Sequence, residues 1–220
     1  METTNGRLYI VCSPSGAGKT TLCRRLLERF ADLRFSVSHT TRPRRPQEVD
    51  GRDYHFVDDA AFDAMVAAGE FVEWAHVHAN RYGTAHSEVR AAAAAGQSLL
   101  FDVDYQGAAQ IRQRHPDAVA MFILPPSLAE LRRRLASRGT ETPESLELRY
   151  RNALREIGAY PQFDYLVVND DIDRAVETLC GIVHAERSRR VRRAEAAERL
   201  LREAGEAAAI SRSGSSSTGG

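Results

Sequence analysis

The residues Ser13-Pro14-Ser15-Gly16-Ala17-Gly18-Lys19-Thr20 have the types and spacing that hold phosphate. Small residues let consecutive backbone N–H groups curl around phosphate oxygens, and a helix starting at the end of the loop aims its positive end at the anion. The lysine then reaches the β- and γ-phosphates of a nucleotide, and the hydroxyl of Thr20, followed by Thr21, serves a Mg2+ ion. The stretch follows the GxxxxGK[ST] pattern except at its first position, where Ser13 replaces glycine. That position starts the turn, and a small residue serves there. Lys19 is the only lysine among 30 basic side chains, all the rest being arginine. An Arg- and Ala-rich codon usage explains why lysine is scarce. Its survival at this position has a physical reason, since a compact ammonium on a flexible stem fits between phosphates where a planar guanidinium needs more room.

The apolar run Leu8–Cys12 predicts a buried strand feeding the loop, and Leu22, Leu26, Leu27 and Phe30 then recur at helical spacing. Further strands are predicted at Ser98–Val103, Ala118–Leu124 and Tyr165–Val168, with helical stretches at Ala108–Arg114 and Leu128–Ala136. The last of these opens on Ser127-Leu-Ala-Glu130, a capping box. Such alternation implies an α/β fold with a parallel central sheet. Two stretches break it. Residues 36–90 are more polar and aromatic, with β-like pieces at Tyr54–Val57 and Phe71–Ala75, and read as an inserted β-rich subdomain. Residues 132–157 combine Arg132-Arg133-Arg134, a hinge candidate at Gly139 and a charged helical pattern, and read as a mobile helical flap. From Ile172, the residues Val176, Leu179 and Val183 mark a closing amphipathic helix with a charged continuation to Arg202. Ser211–Gly220 is Ser/Gly-rich and expected to be disordered.

The chain has 220 residues with 30 acidic and 30 basic side chains, and 43% hydrophobic residues can form a sizeable core. Zero net charge argues against generic binding of nucleic acid or membrane surfaces, which needs a basic excess. Three cysteines, Cys12, Cys23 and Cys180, form no CxxC pair and cannot close a disulfide framework, which points to a reducing, cytoplasmic compartment. No apolar run approaches the ~20 residues of a transmembrane helix. Met1–Ile10 lacks the layout of a signal peptide.

Beyond the loop, Ser36-Val-Ser38-His-Thr-Thr41-Arg42-Pro-Arg-Arg45 is followed by Gly51-Arg-Asp-Tyr54-His-Phe56, Phe71-Val-Glu73-Trp74-Ala75 and Tyr82-Gly83-Thr84. Asp102-Val-Asp104-Tyr-Gln106-Gly107 and Ser137-Arg-Gly-Thr-Glu-Thr142 come next. In that order, over about Leu8 to His184, these segments strongly resemble the guanylate kinase family, which transfers the γ-phosphate of ATP to GMP. The resemblance implies a three-layer P-loop fold with a core of residues 1–35, 91–127 and 159–204, a GMP-binding subdomain at 36–90 and a helical lid at 128–158; residues 205–220, outside the resemblance, are expected to form a disordered tail. It implies ATP and GMP as substrates, Mg2+ as cofactor and no nucleic-acid or membrane partner, and leaves open whether the protein is a monomer or a homodimer.

Carried over position by position, the resemblance places Arg42, Arg45, Tyr54 and Tyr82 around the GMP phosphate. Two guanidiniums and two phenols suit a dianion. Read alone, Arg42–Arg45 would be a solvated basic turn stiffened by Pro43 and Pro46, with Arg44 a bystander. Glu73 is implied to read guanine, whose N1–H and 2-amino group both donate to one carboxylate, whereas adenine offers neither donor. Ser38 and Thr84 match positions that contact guanine, as hydroxyl donors toward O6. Asp104 matches a position on the GMP side of the cleft, although a lone Asp after a strand also reads as a helix cap. Asp102 would reach Mg2+ together with Thr20, and Asn169 matches a residue beside the adenine of ATP. Arg134, Arg138 and Arg149 match arginines that close over the phosphates, while Arg132 and Arg133 read as surface charge. ATP and GMP together bring about six negative charges; Mg2+ offsets two, and Lys19, Arg42, Arg45, Arg134, Arg138 and Arg149 supply the balance. Cys12 and Cys23 read as small apolar residues.

Other readings are a related P-loop small-molecule kinase and a non-catalytic guanylate-kinase-like binding module. Against them stand Glu73 with Ser38 and Thr84, and an intact phosphate loop. A switch GTPase would need Asn-Lys-x-Asp, which a chain whose sole lysine is Lys19 lacks.

Overall fold

Leu8–Cys12 (β1) and Val119–Leu124 (β8) are almost uninterrupted apolar runs, and such strands are stable only when both sheet faces are covered. A computed structural model describes residues 6–77, 79–137 and 142–214, with side chains to residue 206. In it β1 is the middle strand of a five-stranded parallel sheet, between Ser98–Asp102 (β7) and β8, with Leu33–Phe35 (β2) and Tyr165–Val168 (β9) at the edges. The order β2-β7-β1-β8-β9 reverses direction at β1, so a crevice opens at the carboxyl end of β1 beside its neighbours. Ile10, Leu99, Phe101 and Ile111 pack with Val72 and Ala92 in one apolar cluster.

Helices bridge the strands. Lys19–Arg29 (α1) follows the phosphate loop, Tyr105–Arg114 (α4) follows β7, and Leu128–Ala136 (α5) and Pro143–Ile157 (α6) follow β8. Ser127 accepts from the Glu130 N–H at 3.1 Å, so the expected cap on α5 is present. The predicted start of α4 at Ala108 moves back to Tyr105, because Asp104 caps the helix. α5 and α6 share a small cluster of Leu131, Leu135 and Ala153. Arg132, expected to be plain surface charge, pairs with Glu147 at 3.1 Å and lies over the Tyr150 ring, joining the two helices.

The inserted segment forms a second sheet of order β4-β3-β6-β5, built from His39–Thr40 (β3), His55–Phe56 (β4), Phe71–Val77 (β5) and Asn80–Ala85 (β6). Asp59–Ala67 (α2) covers it through Phe62, which stacks on Phe71. His86–Ala94 (α3) then leads back to the parallel sheet. β2, β3, β6, α2 and α3 lie outside the predicted elements; β2 and β3 are too short and α2 and α3 too Ala-rich to show a period, and polar Asn80-Arg81-Tyr82-Gly83-Thr84 of β6 shows no apolar alternation.

The chain divides into compact units Met1–Leu179 and Cys180–Gly220, a division that falls inside Ile172–Arg187 (α7). The charged continuation of α7 is a separate helix, Arg190–Gly214 (α8), after a break at Ser188 and Arg189. The expectation of disorder from residue 205, and from Ser211, is corrected as far as Gly214. Ala-, Glu- and Arg-rich sequence is strongly helix-forming and carries the helix into the Ser/Gly segment. The rest of that tail lies outside the described residues.

Candidate active site

Gly16 and Gly18 adopt φ of +88° and +95°, the left-handed region that glycine enters without strain, and a turn from Pro14 C=O to Ala17 N–H at 3.1 Å closes the loop. Gly18 caps α1 without a side chain and the first turn of α1 holds no acid, so its N–H groups stay open toward an anion. Two cysteines flank the loop as packing: Cys12 and Cys23 are buried and unpaired, and burial pushes the Cys12 thiol up to about 12.

Strand adjacency brings a carboxylate to this loop. β1 and β7 pair with Val11 opposite Asp102, so the loop leaving β1 and the end of β7 meet. Lys19 Nζ forms an ion pair with Asp102 and donates to the Val103 carbonyl at 3.0 Å. Burial works to lower the pKa of this ammonium, and the Asp102 carboxylate more than offsets it, so the net shift is upward. Thr20 and Thr21 are exposed at the start of α1. The Asp102 carboxylate and the Thr20 hydroxyl are hard oxygen donors of the kind Mg2+ takes.

Other elements close on the loop. Asn169, at the end of β9 and 4% exposed, donates through Nδ2 to Ala17 O at 2.7 Å. A Cβ on Gly18 would lie 2.5 Å from that nitrogen, a second reason for glycine there. The amide expected beside an adenine is thus engaged with the loop itself. Arg134 donates to Glu130 (2.7 Å), Asn169 O (3.1 Å) and Ala17 O (3.4 Å), and Arg149 donates to Ser15 Oγ at 3.2 Å. Arg138, with Gly139, lies outside the described residues. Glu156, absent from the expected set, accepts from Ser15 N–H at 2.9 Å. Its spacing of seven from Arg149 puts both on one face of α6, a signal readable in the sequence.

Across the crevice, β5 and β6 pair Glu73 with Thr84. Glu73 is 4% exposed and accepts from Thr84 Oγ1 at 2.7 Å, and Ser38 Oγ lies 3.0 Å from Thr84 Oγ1. Thr84 has one hydroxyl proton; giving it to Glu73 leaves Ser38 to donate to Thr84. The expectation that both hydroxyls donate to a base carbonyl therefore needs this chain to break or reverse when a base arrives. Burial raises the Glu73 carboxyl to about 7, against the opposing hydrogen bond from Thr84. Asp104 caps α4, accepting from Gly107 N at 2.8 Å, and also lines the crevice. Lys19, Ser38, Tyr54, Glu73, Tyr82 and Asp102 line the same cleft of about 260 Å3.

Arg42 reaches toward this cleft's rim. It donates to Glu48 at 2.7 Å, with its guanidinium carbon 5.4 Å from the centre of the Tyr54 ring. Tyr54 and Tyr82 meet edge to face at 5.9 Å. Arg42 is held above its ordinary pKa by Glu48 first, against burial, and further by Tyr82. Arg45 is exposed, and its backbone N–H donates to Glu48 at 2.8 Å, while Arg44 donates to the Glu48 carbonyl at 3.2 Å. Glu48, also unforeseen, is thus the internal anion of the arginine turn. Three- and six-residue spacings to Arg45 and Arg42 were its only local signal.

Residues 5–186 match the family model described as guanylate kinase. The guanylate kinase of Syntrophotalea carbinolica is 53% identical over 197 residues, covering 90% of this chain and 94% of that protein. That of Bradyrhizobium diazoefficiens is 50% identical over 189 residues, covering 86% of each. The crystal structure of guanylate kinase from Anaplasma phagocytophilum superposes with a TM-score of 0.70 at 33% identity, over 85% of this chain and 89% of that one.

Proposed function

The chain belongs to the guanylate kinase family, and from that premise we propose how its cleft works on the two nucleotides. The protein is an ATP:GMP phosphotransferase, giving ADP and GDP. The observation that carries the site reading is the buried acceptor Glu73, with Thr84 and Ser38, in one cleft with Lys19 and Asp102.

Glu73 selects the base. Ionised, its two oxygens accept from guanine N1–H and the 2-amino group; the donors of the base favour the ionised form that burial disfavours. AMP presents no such donors, and a site left with unpaired polar groups rejects an analogue by roughly 10⁴–10⁵. Arg42 and Arg45, with the phenols of Tyr54 and Tyr82, receive the GMP phosphate, which takes the place Glu48 holds beside Arg42. Asp104 supports the nucleotide from the α4 side.

The loop Ser13–Thr20 and Thr21 receive the phosphates of ATP, with Asn169 anchoring the loop against the end of β9. Lys19 trades its pairing with Asp102 for phosphate oxygens. Thr20 and Asp102 would hold Mg2+, which when bound would supply charge neutralisation at the phosphates. Arg134 and Arg149 stand at the loop, where charge spreads over phosphate oxygens during transfer, and Arg138 joins them in this reading. A GMP phosphate is already ionised at pH 7, so the reaction needs no general base. Cys12, Cys23 and Cys180 are buried and form no disulfide framework, which suits a reducing cytoplasm.

A coupled assay with ATP and Mg2+ against GMP, AMP, CMP and UMP tests this. Turnover with GMP far above the others is expected, and EDTA abolishes it. Equal rates on AMP would overturn the role of Glu73.

A further inference from the structure

β5 is an edge strand of the second sheet, so its outer backbone groups have no strand partner. α4 supplies one. Gln110 clamps a single residue from both sides, accepting from Trp74 N–H at 3.1 Å and donating to Trp74 O at 2.8 Å. One turn on, Arg114 donates to Val72 O at 2.8 Å. The two residues flanking Glu73 are therefore held by side chains four apart on one face of one helix.

Earlier on α4, Gly107 lies under the carboxylate itself. A Cβ there would stand 2.8 Å from Glu73 Oε2 and 3.2 Å from Val103 Cβ. Gly107 sits in the helix with no left-handed φ, so its backbone does not require glycine; alanine would favour the helix by about 1 kcal/mol. What demands glycine is the room Glu73 occupies. α4 is also tied to the phosphate side, since Asp104 caps it, β7 ends two residues earlier at Asp102, and Lys19 holds the Val103 carbonyl.

We propose that Gln110 is a positioning residue for guanine selection. Its amide clamp on Trp74, with the space left by Gly107, sets where the Glu73 carboxylate stands relative to Asp104 and the phosphate loop. The inference rests on the guanylate kinase reading above and adds to it the group that aims the base-reading carboxylate. A misaimed Glu73 weakens GMP binding and loses discrimination at the 2-amino group, while leaving the ATP loop as it was.

The test is steady-state kinetics of Gln110→Met, similar in length but without the amide, and of Gly107→Ala, with GMP, IMP and ATP varied in turn. IMP keeps N1–H and lacks the 2-amino group. For each variant we expect KM for GMP to rise about tenfold or more, with kcat within about threefold and KM for ATP unchanged. The preference for GMP over IMP should fall several-fold. Unchanged GMP kinetics, or an equal loss in kcat and in both KM values, overturns the proposal. If Gln110→Met does not fold, Gly107→Ala decides by the same criteria, because the substitution favours the helix. Wild-type enzyme runs alongside: no GMP turnover there defeats the parent reading, whereas active wild type with unaffected variants defeats only this one.

Discussion

Thr84 Oγ1 donates to Glu73 Oε1 over 2.7 Å from the paired position on the neighbouring strand, giving a buried carboxylate one strong partner and leaving its second oxygen toward Gly107. The hydrogen bonds from Thr84 do not compensate for removal from water, and burial pushes the carboxyl up to about 7. The carboxylate proposed to read the base is therefore held at a cost to stability.

That cost gives the first prediction. A folded-state pKa raised from about 4.5 to about 7 favours the native state fully below the lower value and loses that contribution as pH rises through the higher one. Glu73→Gln, which cannot ionise but can still accept from Thr84, should be more stable than wild type at pH 8 by on the order of 2–3 kcal/mol, and nearly equal at pH 4.5. Urea denaturation at both pH values measures the gap; a gap of the same size at both would sink the idea.

The same variant should lose GMP turnover by at least about a hundredfold, since an amide turns a donor toward guanine's donors. In wild type, KM for GMP should fall as pH rises through about 7 and then level off. A KM flat from pH 6 to 8 would contradict the assignment.

Lys19→Arg should lower kcat by about a hundredfold or more while circular dichroism and unfolding midpoint stay near wild type. The ammonium, held by Asp102 and the Val103 carbonyl, is proposed to move between phosphates, where a planar guanidinium needs more room. Near-full kcat would show that arginine serves there after all.

Arg149→Ala removes a cation that touches Ser15 of the phosphate loop. Its kcat should drop about 10–100-fold, with KM for GMP moving less than about threefold. A change confined to KM for GMP would misplace the residue.

Asn169→Ala leaves the Ala17 carbonyl with only the longer bond from Arg134, at a cost of about 1 kcal/mol. Both a lower melting temperature and a higher KM for ATP are expected. A stability loss with unchanged ATP kinetics would make Asn169 a purely structural anchor.

Local chemistry was legible wherever one short segment sufficed. Strand, glycine turn and lysine are contiguous at β1 and α1, the cap of α5 lies within four residues, and the parallel sheet announces itself as runs too apolar to face water. The type and order of the residues proposed to face guanine and phosphate were readable too, because they lie in short motifs of three to ten residues. Edges were less clear. The two-residue strand β3 carries no period, and the helix-forming Ala, Glu and Arg of α8 extended it into a segment whose Ser/Gly content suggested disorder.

Partnerships across the fold were decided elsewhere. Lys19 meets Val103 across 84 residues of sequence because β1 and β7 are neighbours in register, and Glu156 meets Ser15 across 141 because α6 folds back on the loop. Gln110 meets Trp74 only because β5 is an edge strand and α4 covers that edge. Periodicity records which face of an element is apolar, and a motif records which atoms a site needs. Neither records strand order. Adjacency emerges only when the apolar faces pack, and it is that packing which turns a list of charged residues into a cleft where each has a defined partner.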